Sequence, residues 1–290
     1  MQNNGMTRRE ALSALGLTAL AGSTLLSKPA RAEDAKKKAG IALQLYTLRD
    51  PAKADLPGTL KKVADMGWKY VQWSGMPGLK SAEAIREALD KAGLQAIACH
   101  CSVEEFEKSF DERVKYWKTV GVKFVGPGGM MKDCSANLDG WKKGAQRFDE
   151  LGAKLRTVDM RLTYHNHAGE FQKFPDDPRT KEDILLELTK PENVFAEFDI
   201  AWVAIGGADP AAYIRKYKGR CPTIHAKDMV MDGKKSKFTP LGKGSLKWDD
   251  IFAAGKESGI EWYIYEQDSG EGDPFAYTKE SFDFLSKQSL

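Results

Sequence analysis

From residue 40 onward, short apolar runs alternate with longer segments whose apolar positions recur at helical spacing. Four junctions repeat one pattern: a helix-like stretch, a glycine, then a β-rich run. They are Met66-Gly67-Trp68-Lys69-Tyr70-Val71-Gln72-Trp73, Ala92-Gly93-Leu94-Gln95-Ala96-Ile97-Ala98, Val120-Gly121-Val122-Lys123-Phe124-Val125 and Ser258-Gly259-Ile260-Glu261-Trp262-Tyr263-Ile264-Tyr265. A glycine just past a helix adopts the left-handed conformation at little cost and turns the chain into the next strand. Gly67, Gly93 and Gly121 are 26 and 28 residues apart, the length of one βα unit, and eight such units fill about 250 residues. The pattern predicts strands at Ile41–Leu45, Tyr70–Trp73, Gln95–Cys99, Lys123–Gly126, Arg161–His165, Val194–Asp199, Thr223–Ala226 and Trp262–Glu266. Helices are expected at Leu56–Asp65, Ala82–Lys91, Val103–Thr119, Leu138–Leu151, Lys181–Thr189, Pro210–Tyr217, Trp248–Lys256 and Pro274–Leu285. Ser81 and Asp209 stand where N-caps belong, the latter before Pro210 at the first helical position. Eight alternations without a Gly/Ser linker or a break midway imply an α/β chain folded as one (β/α)8 barrel, rather than two doubly wound sheets.

The first 32 residues follow a different pattern. Arg8-Arg9, the small-residue apolar run Ala11 to Leu26, and Ala30-Arg31-Ala32 make a twin-arginine export signal with cleavage after Ala32. Residues 33–290 then form the mature, periplasmic chain. The signal carries Arg8, Arg9, Lys28 and Arg31 against Glu10, a net +3, which equals the formal charge of the whole chain. The mature chain is therefore near neutral, with no electrostatic footprint for nucleic acid and no later stretch long and apolar enough to cross a membrane. Cys99, Cys101, Cys134 and Cys221 lack zinc-site spacing and read as buried thiols.

Candidate chemistry gathers at the C-terminal strand ends, where parallel barrels hold ligands. All four histidines, His100, His165, His167 and His225, lie there. The stretch Leu162-Thr163-Tyr164-His165-Asn166-His167-Ala168-Gly169-Glu170-Phe171 places His165 and His167 on one side of the strand line and Glu170 in the loop beyond. Asp199, His225 and Glu266, with one group from the His165 stretch, form an oxygen–nitrogen ligand set suited to Mn, Co, Zn or Fe. Glu197-Phe198-Asp199 also reads as a run solvating a sheet edge, and Lys227-Asp228 as a surface ion pair. Tyr46, Trp73 and Trp202 read equally as core or as platforms for a sugar ring, and His100 and Asp268 join them as candidate substrate contacts.

Gly40-Ile41-Ala42-Leu43-Gln44-Leu45-Tyr46, Tyr164-His165-Asn166-His167, Phe198-Asp199-Ile200-Ala201-Trp202, Ile224-His225-Ala226-Lys227-Asp228 and Tyr265-Glu266-Gln267-Asp268 resemble, in this order, the sugar phosphate isomerase/epimerase family with its xylose isomerase-like TIM barrel. The resemblance covers 40–290. It implies one divalent metal held by Glu, Asp, His and Glu, the last three matched by Asp199, His225 and Glu266. The first departs: the family's Leu-Glu-Asn reads here as Tyr164-His165-Asn166. His165 is expected as the ligand in its place, with Glu170 as base or substrate contact.

Such a site supports proton abstraction next to a carbonyl, through an enediolate. Glu170, His167 and Glu266 are candidate bases, and Lys227 completes the expected catalytic set. Isomerisation or epimerisation of a free sugar, keto-sugar or glycoside is the leading expectation. A lyase or hydratase acting on 3-keto-glycosides is the alternative. A non-catalytic periplasmic sugar-binding protein is less favoured, since it has no use for the converging ligands. A barrel endonuclease for abasic DNA would need more metal ligands and a basic face. The implied partner is a small carbohydrate, with homo-oligomerisation left open. No phosphate loop is evident: Gly126-Pro127-Gly128-Gly129 lacks the flanking Lys/Ser pattern.

Overall fold

The structure is a computed structural model that describes Met1 and residues 38–290 apart from 77, 233 and 234. Arg8 to Ala32 of the expected export signal lie outside the described residues. Seven strands, β1 (Gly40–Gln44), β2 (Tyr70–Trp73), β3 (Gln95–His100), β4 (Phe124–Gly126), β5 (Arg161–His165), β6 (Val194–Asp199) and β7 (Thr223–Ala226), run parallel in sequence order. A two-stranded antiparallel ribbon, β8 (Asp228–Asp232) and β9 (Lys235–Thr239), follows β7. β10 (Trp262–Tyr265) then pairs with both β7 and β1 and closes an eight-stranded barrel.

The glycines work as the pattern implied. Gly93 and Gly121 take φ of 73° and 101° at the ends of helices Ala82–Ala92 and Phe110–Val120, a conformation that a β-carbon would strain. Gly126 has a different reason: a β-carbon there would lie 1.6 Å from the Thr163 carbonyl oxygen, so the β4–β5 approach requires its absence.

Two parts of the helical layer differ from expectation. The single helix expected over Val103–Thr119 is two, Val103–Lys108 and Phe110–Val120, because Ser109 leaves the helical region (φ −153°, ψ 69°). The second helix is thereby re-aimed to bury Val114, Trp117 and Val120. A short helix at Ile200–Ile205 starts directly after β6, with Asp199 as its N-cap.

Strand alternation sorts the side chains. Val71, Trp73, Cys99, Tyr164 and Phe198 face outward into the main core beneath the helices. Ala42, Ala98, Phe124 and Ile264 plug the lumen. Above this plug the next inward positions are polar, and the site is built on them.

Candidate metal centre

β5 delivers His165, β6 delivers Glu197 and Asp199 on one face, β7 delivers His225, and the residue after β10 is Glu266. These side chains form two overlapping groups, each with donor atoms within 4.8 Å of one another. The outer group is His165, Asp199, His225 and Glu266; the inner group is His100, His165, Glu197 and His225. The four ligands expected from the sequence thus come together in the outer group, and every one is buried.

The outer group carries its own cation. Lys227 is fully buried, with Nζ 2.7 Å from Asp199 Oδ2, 2.9 Å from Glu266 Oε2 and 2.8 Å from Asp268 Oδ2. It is no surface ion pair with Asp228. Burial alone would discharge it, but Asp199 and Glu266 hold it firmly as the ammonium. Burial likewise opposes ionisation of Glu266, yet Lys227 and His225 keep its carboxyl well below the usual range. Asp199 goes the other way, pushed up by burial to about 6 despite Lys227.

Asp199 Oδ1 accepts from the amides of Ala201 and Trp202, both at 3.1 Å, and its own amide donates to Asn166 Oδ1 at 3.1 Å. Its Oδ2 accepts from Lys227 Nζ at 2.7 Å. His165 Nδ1 is buried and unpartnered. Burial, then the neighbouring His225 and His100, press the His165 pKa well below that of free imidazole, so the ring is neutral with a lone pair to give. The orphaned nitrogen of His165, in a set of mixed imidazole and carboxylate donors, fits a divalent transition metal.

The inner group centres on Glu197, fully buried and saturated. Oε1 lies 2.7 Å from His100 Nε2 and 3.0 Å from His225 Nε2, and accepts from Gln72 Nε2 at 3.0 Å. Oε2 accepts from Thr223 Oγ1 at 2.8 Å. In a closed barrel this position has no sheet edge to solvate, so the edge reading fails. Burial disfavours a charged His225, but Glu197 on one ring nitrogen and Glu266 on the other (Nδ1–Oε2 2.9 Å) raise it to about 10.

Three expected site residues need correction or a narrower role. Trp73 is 5 % exposed in the outer core, because its neighbour Gln72 takes the lumen-facing position; it offers no sugar platform. Glu170 is absent from both donor groups. Its Oε1 accepts from the outward-facing Tyr164 hydroxyl at 3.1 Å and its Oε2 from the His167 amide at 3.0 Å. It is turned behind β5 and anchors the loop instead of reaching the cluster as a base. Lys227, held as an ammonium, serves as a charge and not as a proton acceptor.

The remaining candidates line the mouth. His167 reaches solvent with its ring 5.0 Å from that of His165 and 5.6 Å from Trp202; what burial it has lowers its pKa. Trp202 donates to Asp268 Oδ2 at 3.2 Å and packs edge-on against Phe238 of the ribbon at 5.3 Å. Tyr46 is 39 % exposed. Gln72 escaped the sequence reading, and Gln44 and Glu197 were given no part in the site, although each sits in register at the inward end of a strand. Their signal was the two-residue spacing, most plainly Glu197 before Asp199.

A family model described as a xylose isomerase-like TIM barrel matches residues 60–288. An inosose dehydratase of Lacticaseibacillus casei is 28 % identical over 165 residues, 51 % of this chain and 54 % of the relative. The chain thus spans about half the length of that relative. An inosose dehydratase of Clostridium perfringens is 24 % identical over 262 residues, 79 % of this chain and 86 % of the relative. Among solved structures, a sugar phosphate isomerase/epimerase from Parabacteroides distasonis superposes with a TM-score of 0.73 at 21 % identity, covering 87 % of this chain and 95 % of its own.

Proposed function

The chain belongs to the xylose isomerase-like TIM barrel family, and from that premise we propose that it is a divalent-metal-dependent lyase acting on a keto-sugar or 3-keto-glycoside. The observation that carries this is the outer group, four buried donor side chains on successive strand ends, with His165 Nδ1 unpartnered among them. His165, Asp199, His225 and Glu266 would hold the cation. When bound, it would polarise the substrate carbonyl and steady negative charge on that oxygen.

The chain's own groups supply the rest. His167, neutral and open to solvent, takes the proton from the carbon next to the carbonyl, and the C–H electrons form the carbon–carbon double bond of an enediolate. As the carbonyl reforms, the bond to the β-oxygen breaks, and the proton on His167 is available to the departing hydroxyl or alkoxide. Glu170 fixes His167 by accepting from its amide. Lys227 keeps Glu266 ionised and holds Asp268 in place. Trp202 and Tyr46 offer surface to the sugar ring. Elimination is preferred over the isomerisation first expected, because it needs one base on one face. The substitution of His165 for the family's glutamate leaves His167 as the free base at the mouth, and the sequence relatives carry dehydratase names.

NMR in D2O tests this on a panel of keto-sugars and 3-keto-glycosides. Elimination gives vinylic signals with release of water or the aglycone. A deuterated isomer without a leaving group would return the reading to isomerase, and no exchange at any carbon would remove enediolate chemistry. Export is part of the same proposal, supported by Arg8-Arg9, the apolar run and Ala30-Arg31-Ala32. It favours free sugars over sugar phosphates, and a precursor with both arginines changed to lysine should stay in the cytoplasm.

A further inference from the structure

We propose that Glu197, with Gln72 and Gln44, is a positioning device that keeps the proton of His225 on Nε2 and so turns Nδ1 toward the metal. This rests on the outer group as the metal site, and it assigns the inner group a supporting role in place of a second cation site.

The polarity of the chain can be followed from an unambiguous end. The backbone amide of Tyr46 can only donate, and it lies 3.2 Å from Gln44 Oε1. That orients the Gln44 amide, whose Nε2 donates to Gln72 Oε1 at 2.8 Å. Gln72 Nε2 therefore points the other way, to the Glu197 carboxylate at 3.0 and 3.2 Å, which can only accept. His225 Nε2 faces two acceptors, Gln72 Oε1 at 2.6 Å and Glu197 Oε1 at 3.0 Å. It must carry a hydrogen. Nδ1, 2.9 Å from Glu266 Oε2, donates to that carboxylate here and is the nitrogen that would give up its proton to a cation and offer a lone pair. Thr223 Oγ1 pins the second oxygen of Glu197 at 2.8 Å, so the carboxylate cannot swing up and become a ligand. A carboxylate on the far nitrogen of a metal-bound imidazole fixes the ring and makes the ligand more basic.

The test pairs ring NMR with metal titration on the full chain. In 15N-histidine-labelled protein, a hydrogen-bonded His225 Nε2–H proton should appear both without metal and with Zn2+. In Glu197→Gln it should shift or be lost, and Co2+ affinity should fall about 10- to 100-fold. Gln72→Met, which removes the amide facing both groups, should weaken Co2+ in the same direction and serves if Glu197→Gln does not fold. An Nδ1–H tautomer in the Zn2+ form, or wild-type Co2+ affinity in the folded variants, would overturn the proposal. Failure of the wild type to bind Co2+ would sink the metal reading itself. The Nε2–H proton of the metal-free protein would still decide the positioning of His225.

Discussion

Lys227 touches three carboxylates at once, and its loss leaves Asp199, Glu266 and Asp268 without the ammonium they share, although His225 stays beside Glu266. Breaking a buried pair by removing one partner costs about 3–5 kcal/mol, because the stranded charge stays buried. Lys227→Met should therefore lower unfolding free energy by roughly that amount in metal-free protein. Added Co2+ should restore part of it, since a cation between Asp199 and Glu266 replaces the missing charge. Urea denaturation with and without Co2+ measures both; an undiminished midpoint in metal-free protein would show that Lys227 is dispensable. At this scale the outer group was legible because ligands at strand ends are fixed by chain direction alone. Glu197 was not, since only barrel closure distinguishes a lumen position from a solvated edge. Glu170 was misplaced because nothing in the linear order shows that its loop turns back onto Tyr164.

At the scale of elements, the first turn of helix Lys181–Leu188 holds a buried carboxyl without a partner. Glu182 is fully buried and neither carboxyl oxygen has a partner, while Asp183 beside it is satisfied by Tyr217 at 2.7 Å and Lys216 at 2.8 Å. Burial, then Glu170 and Asp183, raises the Glu182 pKa well above its ordinary value. The folded state thus keeps its proton longer than the unfolded chain does. The contribution is fully favourable below the unfolded value, about 4.3, and is lost as pH rises toward the folded value. Glu182→Gln removes this titration. Relative to the wild type its stability should rise steadily from pH 4 to pH 8. A constant difference across that range would mean that Glu182 is ionised in the folded protein. The strand limits were legible to within a residue or so, from apolar runs bounded by helix-ending glycines. The ribbon after β7 was not. Asp228 looked like a surface partner of Lys227, but its buried carboxylate accepts from the amides of Gly242 and Gly244 and from Trp248 Nε1, tying down the loop after the ribbon.

For the whole molecule, the apolar shell around the barrel does not depend on the site. Leu43, Val71, Phe148, Tyr164, Phe198 and Ile224 are buried in one continuous core, and the lumen floor is closed by Ala42, Ala98, Phe124 and Ile264. Chelation should thus abolish turnover while far-UV circular dichroism is kept; loss of the fold would make the metal structural. The barrel could be read from the sequence because a βα repeat admits few closures. The proposed function stands or falls with a metal centre of four residues that includes His165 and not Glu170. Metal content by elemental analysis of the wild type, His165→Ala and Glu170→Gln tests it most directly. The wild type should carry one divalent ion per chain, His165→Ala should lose most of it, and Glu170→Gln should keep it. A His165→Ala protein that holds its full metal while Glu170→Gln loses it would contradict the assignment.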